Sequence, residues 1–196
     1  FSNKNMTTGE GGMIVTNDEE CSRRLRLLRS HGMTSLTWDR HKGHASSYDV
    51  VDQGYNYRID EIRSALGLVQ LGKLKANNAR RQAITRRYWQ ALTDLPVGLP
   101  FRYTTGEPAC HIFPMLLPPG TDRIAFIDRL RAAGIQISIH YPPIHQFSYY
   151  QGRFEDIHLP ITESLAAREV TLPLYPGMQD ADVDLVAAEV RRALQL

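Results

Sequence analysis

The stretch Phe1-Ser-Asn-Lys-Asn-Met-Thr-Thr-Gly-Glu-Gly-Gly-Met-Ile-Val-Thr16 decides how the rest of this 196-residue chain is read. A single lysine, Lys4, stands before a turn-forming run that contains Gly9, Gly11 and Gly12. Glycine adopts positive φ and lets another group approach closely. Met13-Ile-Val15 then reads as an apolar, buried strand. Lys4 is therefore expected at the edge of a tight turn leading into that strand. The glycines match no common phosphate loop. A Walker loop carries its lysine after the glycines, followed by Ser or Thr, and a dinucleotide fingerprint needs G-x-G-x-x-G. Taken alone, Lys4 reads most simply as a solvated loop residue. Its chemical reading is an amine that condenses with a carbonyl, a reaction favoured where burial lowers the lysine pKa.

Composition bounds the answer. The chain is 42% hydrophobic and 22% charged, as ordinary soluble globular proteins are. Its formal charge of +2 is too small to imply a nucleic-acid or membrane partner. Cys21 and Cys110 lie far apart and fit no metal or redox spacing, so a reduced, cytoplasmic setting is expected. No apolar run reaches membrane-spanning length. The chain opens inside a motif and lacks an initiator Met, so a longer natural protein with an upstream half is expected.

Downstream, Asn17-Asp-Glu-Glu20 reads as a capping box for a helix from Asp18 to about Ser30, ended by Gly32. Cys21, Leu25 and Leu28 would form its buried face, with Arg23, Arg24, Arg26 and Arg29 elsewhere. Residues 33–53 read as an irregular excursion bordering an active site or interface, with Trp38, Arg40, His41, Lys42, His44 and Tyr48. No third ligand completes a metal set with His41 and His44. Gly54-Tyr-Asn-Tyr-Arg58 precedes Asp60, which caps a long helix reaching about Leu92. Ile84, Tyr88 and Leu92 repeat at helical spacing within it. On the residues alone, Asn56 is a turn residue and Tyr55 and Tyr57 are core.

Pro96-Val-Gly-Leu-Pro100 marks a break. His111 to Leu117 reads as a strand interrupted by Pro114, at an edge or bulge. Thr121 would cap a helix through Ile124, Ile127 and Leu130, stopped by Gly134, and Ile135 to Ile139 alternates as a strand. This order implies a small α/β layer. His140-Tyr-Pro-Pro-Ile-His145 then leaves the strand at a proline-stiffened turn, a common place for binding residues. Leu159-Pro-Ile-Thr162 leads a helix to Val170, Leu172 to Pro176 forms a buried turn, and Asp180 to Leu194 closes the chain as an amphipathic helix.

Three of these stretches, in order, resemble the DegT/DnrJ/EryC1/StrS family of pyridoxal phosphate-dependent nucleotide-sugar aminotransferases. They are Asn3 to Gly12, Gly54 to Arg58 followed by Ala65 to Leu71, and Gly134 to His145. The resemblance covers essentially the whole chain. It implies the C-terminal portion of an α/β, fold-type I transferase. Residues 1–95 would be the end of the cofactor-binding large domain plus a linking helix, and 96–196 a small C-terminal α/β domain. Lys4 falls where the family has its Schiff-base lysine, and relatives with His there catalyse sugar dehydration. The family's phosphate-holding serine would lie before Phe1. The resemblance further implies that Asn56 reaches the phosphate of a neighbouring subunit's cofactor in a homodimer. His140, Tyr141 and His145 would lie on the substrate side. The implied reaction transfers an amino group, from glutamate, to a keto carbon of a nucleotide-linked sugar in deoxyamino-sugar biosynthesis. Activity would require the upstream half. The competing readings are a catalytically inert interaction module derived from the same fold, and a nucleic-acid binder using Arg23 to Arg29 and Arg80 to Arg87.

Overall fold

The computed structural model describes residues 4–35, 43, 47–153 and 157–194. The elements in order are α1 (Glu19–Arg29), α2 (Glu61–Ala91), β1 (Phe113–Leu116), α3 (Arg123–Ala132), a short 3-10 turn (Ile144–Gln146), α4 (Pro160–Arg168), β2 (Glu169–Leu172) and α5 (Asp180–Ala193). Packing divides the chain inside α2 into unit 1, Phe1–Lys73, and unit 2, Leu74–Leu196. The division between residues 95 and 96 expected from the sequence lies later, just beyond the end of that helix. The C-terminal turns of α2 pack with the second unit because Ile84, Tyr88 and Leu92 are fully buried in its core.

In unit 1 the cap of α1 sits one residue later than the capping box implied. Asp18 is the N-cap, its carboxylate accepting from the Cys21 N–H at 3.0 Å. Thr16 Oγ1 accepts from the Asp18 N–H, which fixes the entry to the helix. No residue of α1 is fully buried, so Cys21, Leu25 and Leu28 form a half-covered face at most. Gly32 closes the helix as expected, its N–H donating to the Leu27 carbonyl. The chain then returns along itself: the His31 N–H donates to Tyr55 and the Val51 N–H to Gly32, with bridges Ser30–Asn56 and Met33–Val50. The two backbones nearly touch. A Cβ at Gly54 would lie 2.0 Å from the Gly32 nitrogen, and one at Gly32, where φ is +68°, 1.9 Å from the Asp52 oxygen.

Met13-Ile-Val15 is not a buried strand. Met13 is 84% and Val15 85% exposed, and the run pairs with no strand among the described residues. A strand is completed by ladder hydrogen bonds from a neighbour, which local apolar sequence cannot supply. Tyr55 and Tyr57 are likewise exposed rather than core, their rings stacked 5.0 Å apart. Asp60 does cap α2, accepting from the Arg63 N–H at 2.8 Å.

Unit 2 is built around one apolar core. Ile84 and Tyr88 of α2 and Leu92 just past its end meet Phe113 and Met115 of β1, Phe126 and Leu130 of α3, Val170 and Leu172 of β2, and Val183 and Val190 of α5. β1 and β2 pair antiparallel, Phe113 opposite Leu172 and Met115 opposite Val170. Pro114 lies inside β1 opposite Thr171. Gly98 bridges Leu116 beyond β1, and Ser138 bridges Thr171 beyond β2. The expected strand 135–139 is thus only a bridge, and β2 lies between it and β1. β2 itself was read as the end of a helix reaching Val170; the helix stops at Arg168. Glu-Val-Thr-Leu alternates at period two, but four residues carry little signal beside a longer helical run. In α3 the cap is Asp122 rather than Thr121, and Phe126 with Leu130 forms the buried face, leaving Ile124 72% exposed.

The buried guanidinium of Arg81 closes several backbone ends at once. Nη1 donates to the carbonyls of His111 at 3.0 Å and Leu174 at 2.9 Å. Burial pushes its pKa down from the usual arginine value, offset in part by Cys110.

Candidate active site

Lys4 lies in unit 1, exposed, on the loop that precedes the glycine run. Side chains of that loop brace it. The Gly9 N–H donates to Thr7 Oγ1 at 3.1 Å, and Thr8 Oγ1 donates to the Glu10 carbonyl at 2.9 Å. The loop lies against α2 at Gly67, which is buried. A Cβ there would come within 3.2 Å of Thr8 Cγ2 and 3.9 Å of Met6 Cε. The glycine of Ala65-Leu-Gly67 therefore has a packing reason: it admits the loop that carries Lys4. Asn56 is also exposed, at the bridge to Ser30 that anchors the end of α1. An exposed primary amine and an exposed amide suit a carbonyl-bearing, phosphate-bearing cofactor such as pyridoxal phosphate. A primary amine can condense with a carbonyl, and an amide can donate to phosphate without adding charge.

Unit 2 places the other expected residues. His140 and Tyr141 are in ring contact, edge to face at 4.8 Å, across a cis peptide. Tyr141 is exposed and His140 half-buried. His140 stands opposite Glu169 in the register set by the Ser138–Thr171 bridge. Its backbone N–H donates to Glu169 Oε2 at 2.8 Å, and its Nδ1 lies 2.8 Å from Thr171 Oγ1. Thr171 Oγ1 in turn donates to Glu169 Oε1 at 2.5 Å. Sequence reading missed Glu169 and Thr171 because it placed the first in a helix. The signal was the polar member of each pair in Glu-Val-Thr-Leu, two residues apart and hence on one face of a strand.

His145 is held separately. Its Nε2 lies 2.9 Å from Glu163 Oε1, which also accepts from the Leu159 N–H at 2.8 Å. His158 Nδ1 is 3.2 Å from the other carboxylate oxygen. The Glu163 carboxyl sits below the usual carboxylate range, first because of the Leu159 N–H and next because of His145. Among the described residues no group of three His, Cys, Asp or Glu side chains is arranged to hold a metal. The pair His41 and His44 lies outside the described residues, as do Trp38, Arg40 and Lys42.

Several arginines of the two basic runs have partners within the chain. Arg80 donates to the Met178 carbonyl and pairs with Asp180, and Arg87 pairs with Asp184 at 2.6 Å. Arg23 pairs with Glu20. These partners are intramolecular.

Mixed α/β architecture of this kind is that of about half of a pyridoxal phosphate-dependent sugar aminotransferase fold. Residues 1–191 match the DegT/DnrJ/EryC1/StrS aminotransferase family, and the chain belongs to it. PseC of Helicobacter pylori, an aminotransferase involved in the biosynthesis of pseudoaminic acid, is 29% identical. It superposes with a TM-score of 0.84 over 97% of this chain and 50% of its own. The sugar aminotransferase CalS13 of Micromonospora echinospora is 28% identical, with a TM-score of 0.82 over 96% of this chain and 49% of its own. Spr1654 of Streptococcus pneumoniae, in its PLP form, is 25% identical, with a TM-score of 0.76 over 97% and 49%. The chain thus spans about half the length of the structures it matches. No helix among the described residues is long and apolar enough to cross a membrane.

Proposed function

We propose that this chain carries the lysine and the substrate-side segment of a pyridoxal phosphate-dependent aminotransferase. The whole protein would move an amino group, from glutamate, to a keto carbon of a nucleotide-linked sugar. The observation that carries the reading is Lys4, exposed on a loop seated against Gly67, in a chain that belongs to this family from residue 1 to residue 191. Pyridoxal phosphate, when bound, supplies a carbonyl for amines and a ring that takes up an electron pair. Lys4 Nζ would bond to that carbonyl at rest and, once displaced by the incoming amine, carry the proton between donor or acceptor carbon and cofactor. Asn56 would donate to the phosphate in the partner subunit's site of a homodimer. His140, Tyr141 and His145 would line the sugar side, with His145 oriented by Glu163. Because the chain covers half of its relatives, the reaction is proposed for the whole protein and not for residues 1–196 alone.

The test is chemical. Borohydride reduction of the whole protein with pyridoxal phosphate should fix the cofactor on Lys4, by peptide mass mapping. Attachment to any other lysine overturns the assignment. Lys4→Ala should abolish turnover while cofactor still binds.

A further inference from the structure

The polar chain behind His140 has a direction. Both carboxylate oxygens of Glu169 are engaged: Oε2 accepts the His140 backbone N–H at 2.8 Å, and Oε1 accepts the Thr171 hydroxyl at 2.5 Å. Glu169 and Thr171 are both more than nine-tenths buried, so water does not compete freely for these positions. The hydroxyl hydrogen of Thr171 is therefore committed to the carboxylate. Thr171 Oγ1 faces the imidazole only as an acceptor, 2.8 Å from Nδ1. The proton between them must reside on Nδ1. The tautomer of a histidine is set by the hydrogen bond that one of its nitrogens makes.

We propose that Glu169 and Thr171 are positioning residues that hold neutral His140 as the Nδ1–H tautomer, leaving Nε2 as a hydrogen-bond acceptor for a hydroxyl of the sugar substrate. The chain runs carboxylate, hydroxyl, imidazole, and its polarity originates in the carboxylate. The sugar as occupant of Nε2 rests on the function proposed above; the tautomer does not. His140 has no other ring hydrogen bond among the described residues. An imidazole accepting through Nε2 selects a hydroxyl-bearing ligand and rejects one whose corresponding group can only accept, such as a keto oxygen. The group recognised is thus a hydroxyl of the sugar and not the keto oxygen of its reacting carbon.

The isosteric substitution Glu169→Gln distinguishes a directed chain from mere packing. The His140 backbone N–H is a fixed donor, so it holds the amide with its oxygen at the Oε2 position. The amide nitrogen then occupies the Oε1 position and donates to Thr171 Oγ1. The threonine hydrogen is released toward Nδ1, and His140 must become the Nε2–H tautomer. Long-range proton–nitrogen correlation spectra of the 196-residue chain, labelled with nitrogen-15 at histidine, report this directly. They would be taken about two pH units above the ordinary imidazole value of about 6.5, with His140→Gln to assign the signal. The wild type should show a protonated-type Nδ1 and an unprotonated-type Nε2. Glu169→Gln should exchange the two, Thr171→Val should give a mixture, and Thr171→Ser should restore the wild-type pattern. An Nε2–H wild type, or a Glu169→Gln spectrum identical to it, overturns the proposal. In the whole enzyme, Glu169→Gln should raise KM for the keto sugar roughly tenfold, the cost of one hydrogen bond. A tautomer exchange without that KM change would keep the relay and overturn the substrate-side reading of His140.

Discussion

The two units of this molecule are held in different ways. Every fully buried apolar side chain among the described residues belongs to unit 2, from Ile84 to Ala193. Unit 1 buries Ser30, Gly32 and Gly67 but exposes Met13, Ile14, Val15, Ile62 and Leu68. It is nonetheless the unit that carries Lys4 and Asn56. Its local geometry comes from backbone hydrogen bonds between 28–33 and 50–57, and from glycines that let segments touch. Hydrophobic burial sets global stability, while turns and close approaches set where a functional group stands. In this chain the apolar core lies in unit 2, while unit 1 sets Lys4 and Asn56 by turns and close approaches.

The sharpest way to break this contrast is a pair of truncations. Phe126→Ala in unit 2 should cost about 3–5 kcal/mol, the range for emptying a buried aromatic site. Ile62→Ala in unit 1, whose side chain is 84% exposed, should fall within about 0.5 kcal/mol of wild type. Urea unfolding of the chain measures both. Equal costs would mean that unit 1 has a core of its own.

Next in size is Asn56→Ala, which tests whether unit 1 serves binding. Loss of a hydrogen bond to a charged phosphate should cost about 1.5–3 kcal/mol, or roughly ten- to a hundredfold in cofactor affinity. Mixing it with Lys4→Ala in the whole enzyme distinguishes shared from separate sites. If sites are shared between subunits, each heterodimer has one site assembled from two intact contributions, and activity at limiting cofactor returns to as much as half of wild type. Activity that stays at the level of the parent variants would remove Asn56 from the neighbour's site.

A smaller effect compares the same lesion in both units. Asp122→Ala and Asp18→Ala each remove an N-cap carboxylate, worth about 1 kcal/mol. In unit 2 the loss of the bonds to Ile124 and Ala125 should lower the urea midpoint. In unit 1 the loss of the bond to Cys21 should appear as faster amide exchange in the first turn of α1 with an unchanged midpoint. A midpoint shift for Asp18→Ala would tie α1 to the global transition.

Smallest is an acid effect confined to unit 2. The Arg87 guanidinium holds the Asp184 carboxyl below the usual carboxylate range. A carboxyl depressed in the folded state stabilises it above the unfolded value of about 3.9 and loses that contribution as pH falls through the lower folded value. Asp184→Asn should therefore narrow the stability difference between neutral pH and about pH 3. The slope of urea stability against pH measures it, and an unchanged slope would show the exposed pair to be idle.

Much of unit 2 was legible because its signals are local. The spacing of Ile84 and Tyr88 gave the buried face of a long helix, and the amphipathic run from Asp180 gave α5. Caps slipped by one residue at Asp18 and Asp122 because neighbouring Asn17 and Thr121 offer the same chemistry. β2 was lost because four residues that finish a helix and begin a strand satisfy both periods. Among the candidate residues, Lys4, Asn56 and His140 stood out through the motifs that resemble the family's and not by residue type alone. Glu169 and Thr171 did not, since what makes them matter is the register that sets them opposite His140. Met13 to Val15 was read as buried because apolar residues ask for a partner, and sequence cannot say which chain segment provides it.

The mutual fit of Gly32 and Gly54 has a consequence for how this protein can change. A side chain at either position collides with the opposite backbone at about 2 Å, and no rotamer choice relieves a clash that begins at Cβ. Neither glycine can be the first step of a mutational path, and replacing both only doubles the obstruction. The crossing is a clasp, and variation among descendants of this gene should spare the two glycines that close it.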